Sequence, residues 1–167
     1  MMTDPSDLSD YENKIYVNVE EHGCHVTSVF DPNGDEPAFS YSAGFPVSVG
    51  QPDVIVFGLD TKLMHSMVNS LYRQCASGLV MNDGTMVEDL LDGFGCILRA
   101  VDPSRITRDF FNSAMWLHKR EFGTSMSAAY QICWPSADNG IFPWESEASE
   151  FLKHCQPALY EPQVGTA

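Results

Sequence analysis

The chain has 167 residues, 44% of them hydrophobic and 19% charged, and its nine Lys and Arg stand against 23 Asp and Glu for a formal net charge of -14. Length and composition suit one globular domain with a sizeable core and argue against a disordered or fibrous chain. The charge repels phosphate backbones and anionic lipid surfaces, which argues against direct nucleic-acid binding.

No apolar run approaches the roughly 20 residues needed to span a bilayer, and "MMTDPSDLSDYEN" has neither the basic region nor the apolar core of a signal peptide. A cytoplasmic protein without membrane contact is therefore expected. Cys24, Cys75, Cys96, Cys133 and Cys155 are an odd number of cysteines, scattered and without a C-x-x-C pair. In a reducing compartment they read as small buried hydrophobes, and no disulfide framework, metal site or cofactor is expected.

Residues 1–9 are polar and acidic and are expected to be disordered, with Ser9 or Asp10 capping a first helix. Tyr11, Ile15 and Val19 share one face of that helix and Gly23 stops it, although the alternation in "KIYVNV" competes for a strand. "CHVTSVF" (24–30) and "AFSYSAGF" (38–45) read as strands joined through the turn chemistry of "DPNGDEP", which predicts a hairpin. "DVIVFGL" (53–59) is apolar nearly throughout, as in a strand covered on both faces. Asp60 or Thr61 caps a helix carrying Leu63, Met64, Met67, Val68, Leu71 and Cys75 at helical spacing, ended by Gly78. "TMVE" (85–88) has a capping-box pattern and predicts a short helix. "CILRAV" (96–101) predicts another strand, and Thr107 opens a helix that buries Phe110, Phe111, Ala114 and Leu117 before Gly123. "SAAYQICW" (127–134) is the last strand, and a short helix is expected from about 146 to 155.

This order predicts an α+β fold: one domain over 10–157, an antiparallel or mixed sheet with helices packed on it, and a C-terminal tail at 158–167. The stretches "HGCHVTSV", "FSYSAGF", "PDVIVFGL", the glycine after the following helix, and "YQICWP...G.FPWE" resemble, in order and spacing, an uncharacterised bacterial family called domain of unknown function 4262. The resemblance runs from about residue 12 to 146. It implies a soluble, single-domain protein and brings no established reaction. One departure is "SADN", which puts one residue more than the family pattern between Trp-Pro and Gly140 and places the aspartate at 138.

Candidate sites follow from the residues. In "WPSADNGIFPW" (134–144), Pro135 and Pro143 fix φ and restrict their predecessors, while Asp138, Asn139 and Gly140 favour a tight turn. The motif reads either as a rigid aromatic corner or as a pocket, with Trp134 and Trp144 as walls and Asp138 or Glu145 orienting a ligand. "FSYSAGF" offers Ser40, Tyr41, Ser42 and Gly44 at a strand end, where a glycine lets a ligand approach the backbone or simply marks a bulge. The expected ligand-binding set is Tyr41, Ser42, Gly44, Trp134, Asp138 and Trp144. There is no Gly-x-Ser-x-Gly elbow, phosphate loop or dinucleotide fingerprint.

"HGCH" (22–25) suggests a metal or Cys-His cluster. A helix ending at Gly23 before a strand would nonetheless send Cys24 and His25 to opposite faces. His118, Lys119 and Arg120, with Arg105 and Arg108, form the only positive concentration. They suit an anionic ligand, an acidic partner or a solvated helix face.

Three functions fit this inventory. The first is non-catalytic binding of a small molecule or protein partner in a pocket between 38–45 and 134–144, with a homo-oligomer possible. The second is a hydrolase or transferase using polar residues such as Asp138 or His25 near the same loops. The third is an acidic protein that binds a basic protein surface.

Overall fold

A computed structural model describes residues 8–161. The chain starts where its local signals place it. Ser9 accepts the backbone N–H of Glu12 while the Glu12 carboxylate accepts that of Ser9, a reciprocal cap that opens α1 (Asp10–His22). Gly23 ends the helix in the left-handed region at φ 92°, and a Cβ there would collide with the ring of Tyr72. Strand β1 (His25–Val29) and β2 (Phe39–Ala43) then form the expected hairpin. The Asp31 carboxylate closes its turn by accepting the N–H groups of Asn33, Asp35 and Glu36. A single turn, α2 (Phe45–Ser48), leads to β3 (Asp53–Phe57), buried along its whole length.

Asp60 caps α3 (Thr61–Ala76) by accepting from Lys62 and Leu63. Strands β4 (Met86–Leu91) and β5 (Phe94–Ala100) follow, then α4 (Arg108–Phe122), β6 (Ala129–Cys133) and α5 (Glu150–Cys155). The sheet order is β1-β2-β3-β6-β5-β4, antiparallel except where β3 and β6 run parallel. This is the α+β fold that the sequence implied.

Strand alternation divides the core into two layers. Val54 and Val56 face α3, whose Met64, Met67, Val68 and Leu71 are fully covered. Ile55 and Phe57 face the other way, toward Ile15 and Val19 of α1 and Phe111, Ala114 and Leu117 of α4. At about 1.5–3 kcal/mol for each fully buried large apolar side chain, these two layers supply most of the drive to fold.

Three expectations change. "TMVE" is no helix: Met86 and Val87 pair with Ile97 and Cys96, because burying Val87 and Leu90 against the sheet outweighs a local cap. The last helix begins at Glu150, capped by Ser149, after a run of turns. Packing also continues past 157: Leu159 is fully buried, its N–H donates to Gln131 Oε1, and its carbonyl accepts from Asp102. Of the expected disordered segment 1–9, residues 1–7 lie outside the described residues, as do 162–167 of the expected tail, while Ser9 is the ordered cap of α1. No helix among the described residues is long and apolar enough to cross a membrane.

Candidate functional site

The end of β2 is a filled joint. Ser42 Oγ donates to Asp53 Oδ1 at 2.7 Å and accepts from the Val54 N–H at 3.0 Å, while the Phe45 N–H donates to the same carboxylate oxygen at 3.0 Å. Burial pushes the Asp53 carboxyl up to about 7, although its hydrogen bonds to Ser42, Phe45 and Gly44 pull the other way. Gly44 turns the chain at φ 113°, where a Cβ would stand 2.8 Å from Val19 Cγ2. Its glycine serves close packing of the α1 helix.

The Trp-Pro corner is filled as well. Trp134 Nε1 donates to the Phe57 carbonyl at 2.8 Å, and the Trp134 backbone makes a two-way bond with the Gln156 amide at 3.0 and 2.8 Å. Trp144 stacks on Phe142 at 5.1 Å and meets the Tyr160 edge at 5.7 Å. Arg99 lies over both Trp144, at 4.7 Å, and Tyr160, at 4.5 Å, and pairs with Asp83 at 3.2 Å. Glu145 accepts the Phe142 N–H at 2.7 Å, closing the loop on itself. Asp138 stands exposed, its own N–H donating to Ser136 Oγ.

Register shows why these residues do not meet. His25 pairs with Ala43, and Asp53 with Ala129, at one end of the sheet; Phe39 pairs with Phe57 at the other. Ser42 and Gly44 belong to the first end, whereas Trp134, Asp138 and Trp144 follow β6 beyond the second. Strand β3 also lies between β2 and β6. The six expected ligand-binding residues are therefore not gathered into one pocket.

The histidine cluster is likewise split. Cys24 joins the α3 layer, its Sγ donating to Asn69 at 3.7 Å, and burial pushes its thiol up to about 12. His25 is buried on the α1 side, 2.8 Å from the Asn18 amide, and burial first, with Lys14 and His65 adding to it, lowers its pKa. His22 is exposed beside Glu21. Among the described residues no three His, Cys, Asp or Glu side chains converge as metal ligands. His25 and Asp138, the polar pair considered for catalysis, stand at opposite ends of the sheet.

An open cleft of about 650 Å³ instead runs between α1 and α4. On α4, Asn112, Trp116 and Lys119 or Arg120 recur at three- to four-residue spacing, and Arg108, from the turn before the non-helical Phe111, lines the same cleft, so this wall presents three cations, an amide and an indole. Tyr11 and Ile15, one turn apart on α1, form the facing wall. Glu12 is the one carboxylate in the lining. The rings of Tyr16 and Trp116 meet edge-on at 5.7 Å, Arg120 lies 5.8 Å over Trp116, and the Tyr16 hydroxyl donates to Glu121 at 2.6 Å, which brace the indole.

Below them a hydroxyl chain connects Tyr11, Thr27 and Ser113 through contacts of 3.2 Å each and ends at the Tyr41 phenol, 2.9 Å from Ser113 Oγ. Tyr41 is thus the expected site residue that reaches this cleft, through Ser113. The lining offers cations, hydroxyls and ring faces, and among its residues no nucleophile stands beside an activating base. The positive concentration is legible in the sequence; the cavity is not. The four-residue spacing of Arg108, Asn112 and Trp116 was the available signal, and the wall from α1 was not.

No curated protein and no solved structure matches the chain. The sequence pattern of the family described as Domain of unknown function (DUF4262) matches residues 18–149, a span that holds β1 to β6, and the chain belongs to that family.

Proposed function

We propose that this protein is a non-catalytic binding domain whose ligand sits in the α1/α4 cleft. The observation that carries this reading is the gathering of Arg108, Lys119 and Arg120, three of the nine basic residues in a chain of net charge -14, around a cavity walled by Trp116, Tyr11 and Ile15. Such a lining selects a small molecule with an anionic group and a flat or apolar body: the cations take the charge, and the rings and aliphatic side chains take the body. Its volume falls within the range of small-molecule sites, about 300–1,000 Å³.

The catalytic reading has less support, since His25 and Asp138 are separated by the length of the sheet and the Cys24 thiol is held protonated. The test uses 8-anilinonaphthalene-1-sulfonate, an anionic aromatic probe, on the full chain. Saturable binding that weakens about tenfold or more in an Arg108→Glu, Lys119→Glu double variant is expected, since two charge contacts are reversed. Unchanged binding in that variant overturns the reading. Native mass spectrometry of protein taken from its own cell would then show the natural ligand as added mass over the denatured chain.

A further inference from the structure

A second recess, about 400 Å³, opens between the β1–β2 turn and the first turn of α4. Its chemistry is the reverse of the first. The floor is aromatic: Phe39, Phe57 and Phe110 contact one another with ring centroids 5.2, 5.5 and 5.8 Å apart. The rim carries the carboxylates of Asp31, Glu36 and Asp109 against one cation, Arg105. At the mouth Phe30 is 61% exposed, directly after edge strand β1.

Two features of the chain create this pocket. In α4 the first turn is set off from the rest by a non-helical Phe111 (φ -136°, ψ 28°). Asp109 and Phe110 accordingly line the second recess while Arg108 and Asn112 line the first. In the hairpin turn, Asp31 accepts three backbone N–H bonds, which hold its carboxyl below the usual range and keep the charge at the rim.

We infer that this recess is a docking site for an arginine side chain of a basic partner protein, with the guanidinium lying on the aromatic floor and facing the carboxylates of Glu36 and Asp109. Ring faces carry negative potential and attract a flat, weakly hydrated cation, and the surrounding carboxylates add charge complementarity. Phe39 and Phe57 are nearly covered, so Phe110 is the accessible ring of the floor, and the chain's own Arg105 sets its guanidinium 6.0 Å from that ring, which an incoming arginine would share with it. Phe30 offers an apolar contact beside the pocket for the segment that carries the arginine, as exposed aromatic residues do at interfaces. This site uses different residues from the α1/α4 cleft and does not depend on it.

The test is an NMR titration of the isotope-labelled full chain at low salt with the capped peptide Gly-Arg-Gly-Arg-Gly and with its lysine counterpart. Amide shifts should concentrate at Phe30, Glu36, Asp109 and Phe110, with the arginine peptide binding more tightly than the lysine one. The exposed pair Glu36→Lys and Asp109→Lys should raise Kd about tenfold or more, and Phe110→Leu, which keeps apolar volume and removes the ring face, about threefold or more. Arg108→Glu with Lys119→Glu should leave no loss of binding. Equal binding of the two peptides, or shifts spread over the acidic surface and unaffected by Glu36→Lys and Asp109→Lys, overturns the proposal. Retention of full arginine binding by Phe110→Leu overturns it as well.

Discussion

The Trp-Pro corner and the α1/α4 cleft are built from the same parts, yet they do opposite things. In the corner, Arg99 is held between two rings and paired with Asp83, so cation, rings and carboxylate satisfy one another. In the cleft, the indole of Trp116 and the cations around it border open volume, with a single carboxylate in the lining. A tryptophan beside charges is therefore no signature of a site. What separates the corner from the cleft is whether the rings and charges enclose one another or border open volume.

Removing the corner tests this contrast most severely. Trp134→Ala deletes a buried indole and leaves the Phe57 carbonyl without its donor, so a loss of about 3–5 kcal/mol is expected in urea unfolding. A loss under about 1 kcal/mol, the scale of an ordinary exposed change, would place Trp134 outside the joint.

The joint at Asp53 gives the next largest effect, and it is read through pH. Its folded pKa of about 7 lies above the ordinary 3.8, so the folded chain keeps a proton that the unfolded chain releases. Stability contributed by the protonated carboxyl is complete below the unfolded value, falls as pH rises from about 4 to 7, and changes no further above that. Asp53→Asn should remove this fall, whose upper bound is about 4 kcal/mol from a shift of about three units. His25, whose pKa is lowered, contributes in the opposite direction, losing stability as pH drops below its ordinary 6.5 through the folded value. The difference between the parent and the Asp53→Asn variant isolates the carboxyl; a pH-independent difference would refute its assignment.

Arg99→Ala should cost about 1–2 kcal/mol, the order of a partly buried cation over rings, and should raise proteolysis of the 134–144 loop. Arg108→Glu with Lys119→Glu sits at the small end, within about 0.5 kcal/mol in stability, because these exposed side chains pack little. The comparison is sharpened if that variant loses probe binding while Arg99→Ala retains it, and broken if the pattern is inverted.

How far the sequence led can be judged at particular residues. Caps, stops and strand identities were legible where a local signal agreed with the packing, as at Ser9, Gly23, Asp60 and Gly123. Strand β4 was lost because the Thr85 to Glu88 pattern imitates a cap, although Asp92-Gly93 between apolar runs was a hairpin signal. The expected binding residues come apart for a different reason. Ser42 and Trp134 both stand at strand ends, but which ends share a side of the sheet depends on β6 inserting beside β3, a pairing between residues more than 70 positions apart. Asp53 likewise looked like the start of a strand, while its role as the anchor of Ser42 and Phe45 required the fold.

The single parallel ladder has a consequence for how the chain matures. Strand β3 is apolar on both faces, and its outer edge waits for β6, which leaves the ribosome only after α3, the β4–β5 hairpin and α4. At about 5–20 residues per second, that edge spends several seconds or more as an unpaired template. The β1–β2–β3 half of the sheet therefore stays open to adhesion until β6 arrives, and only then does the sheet close.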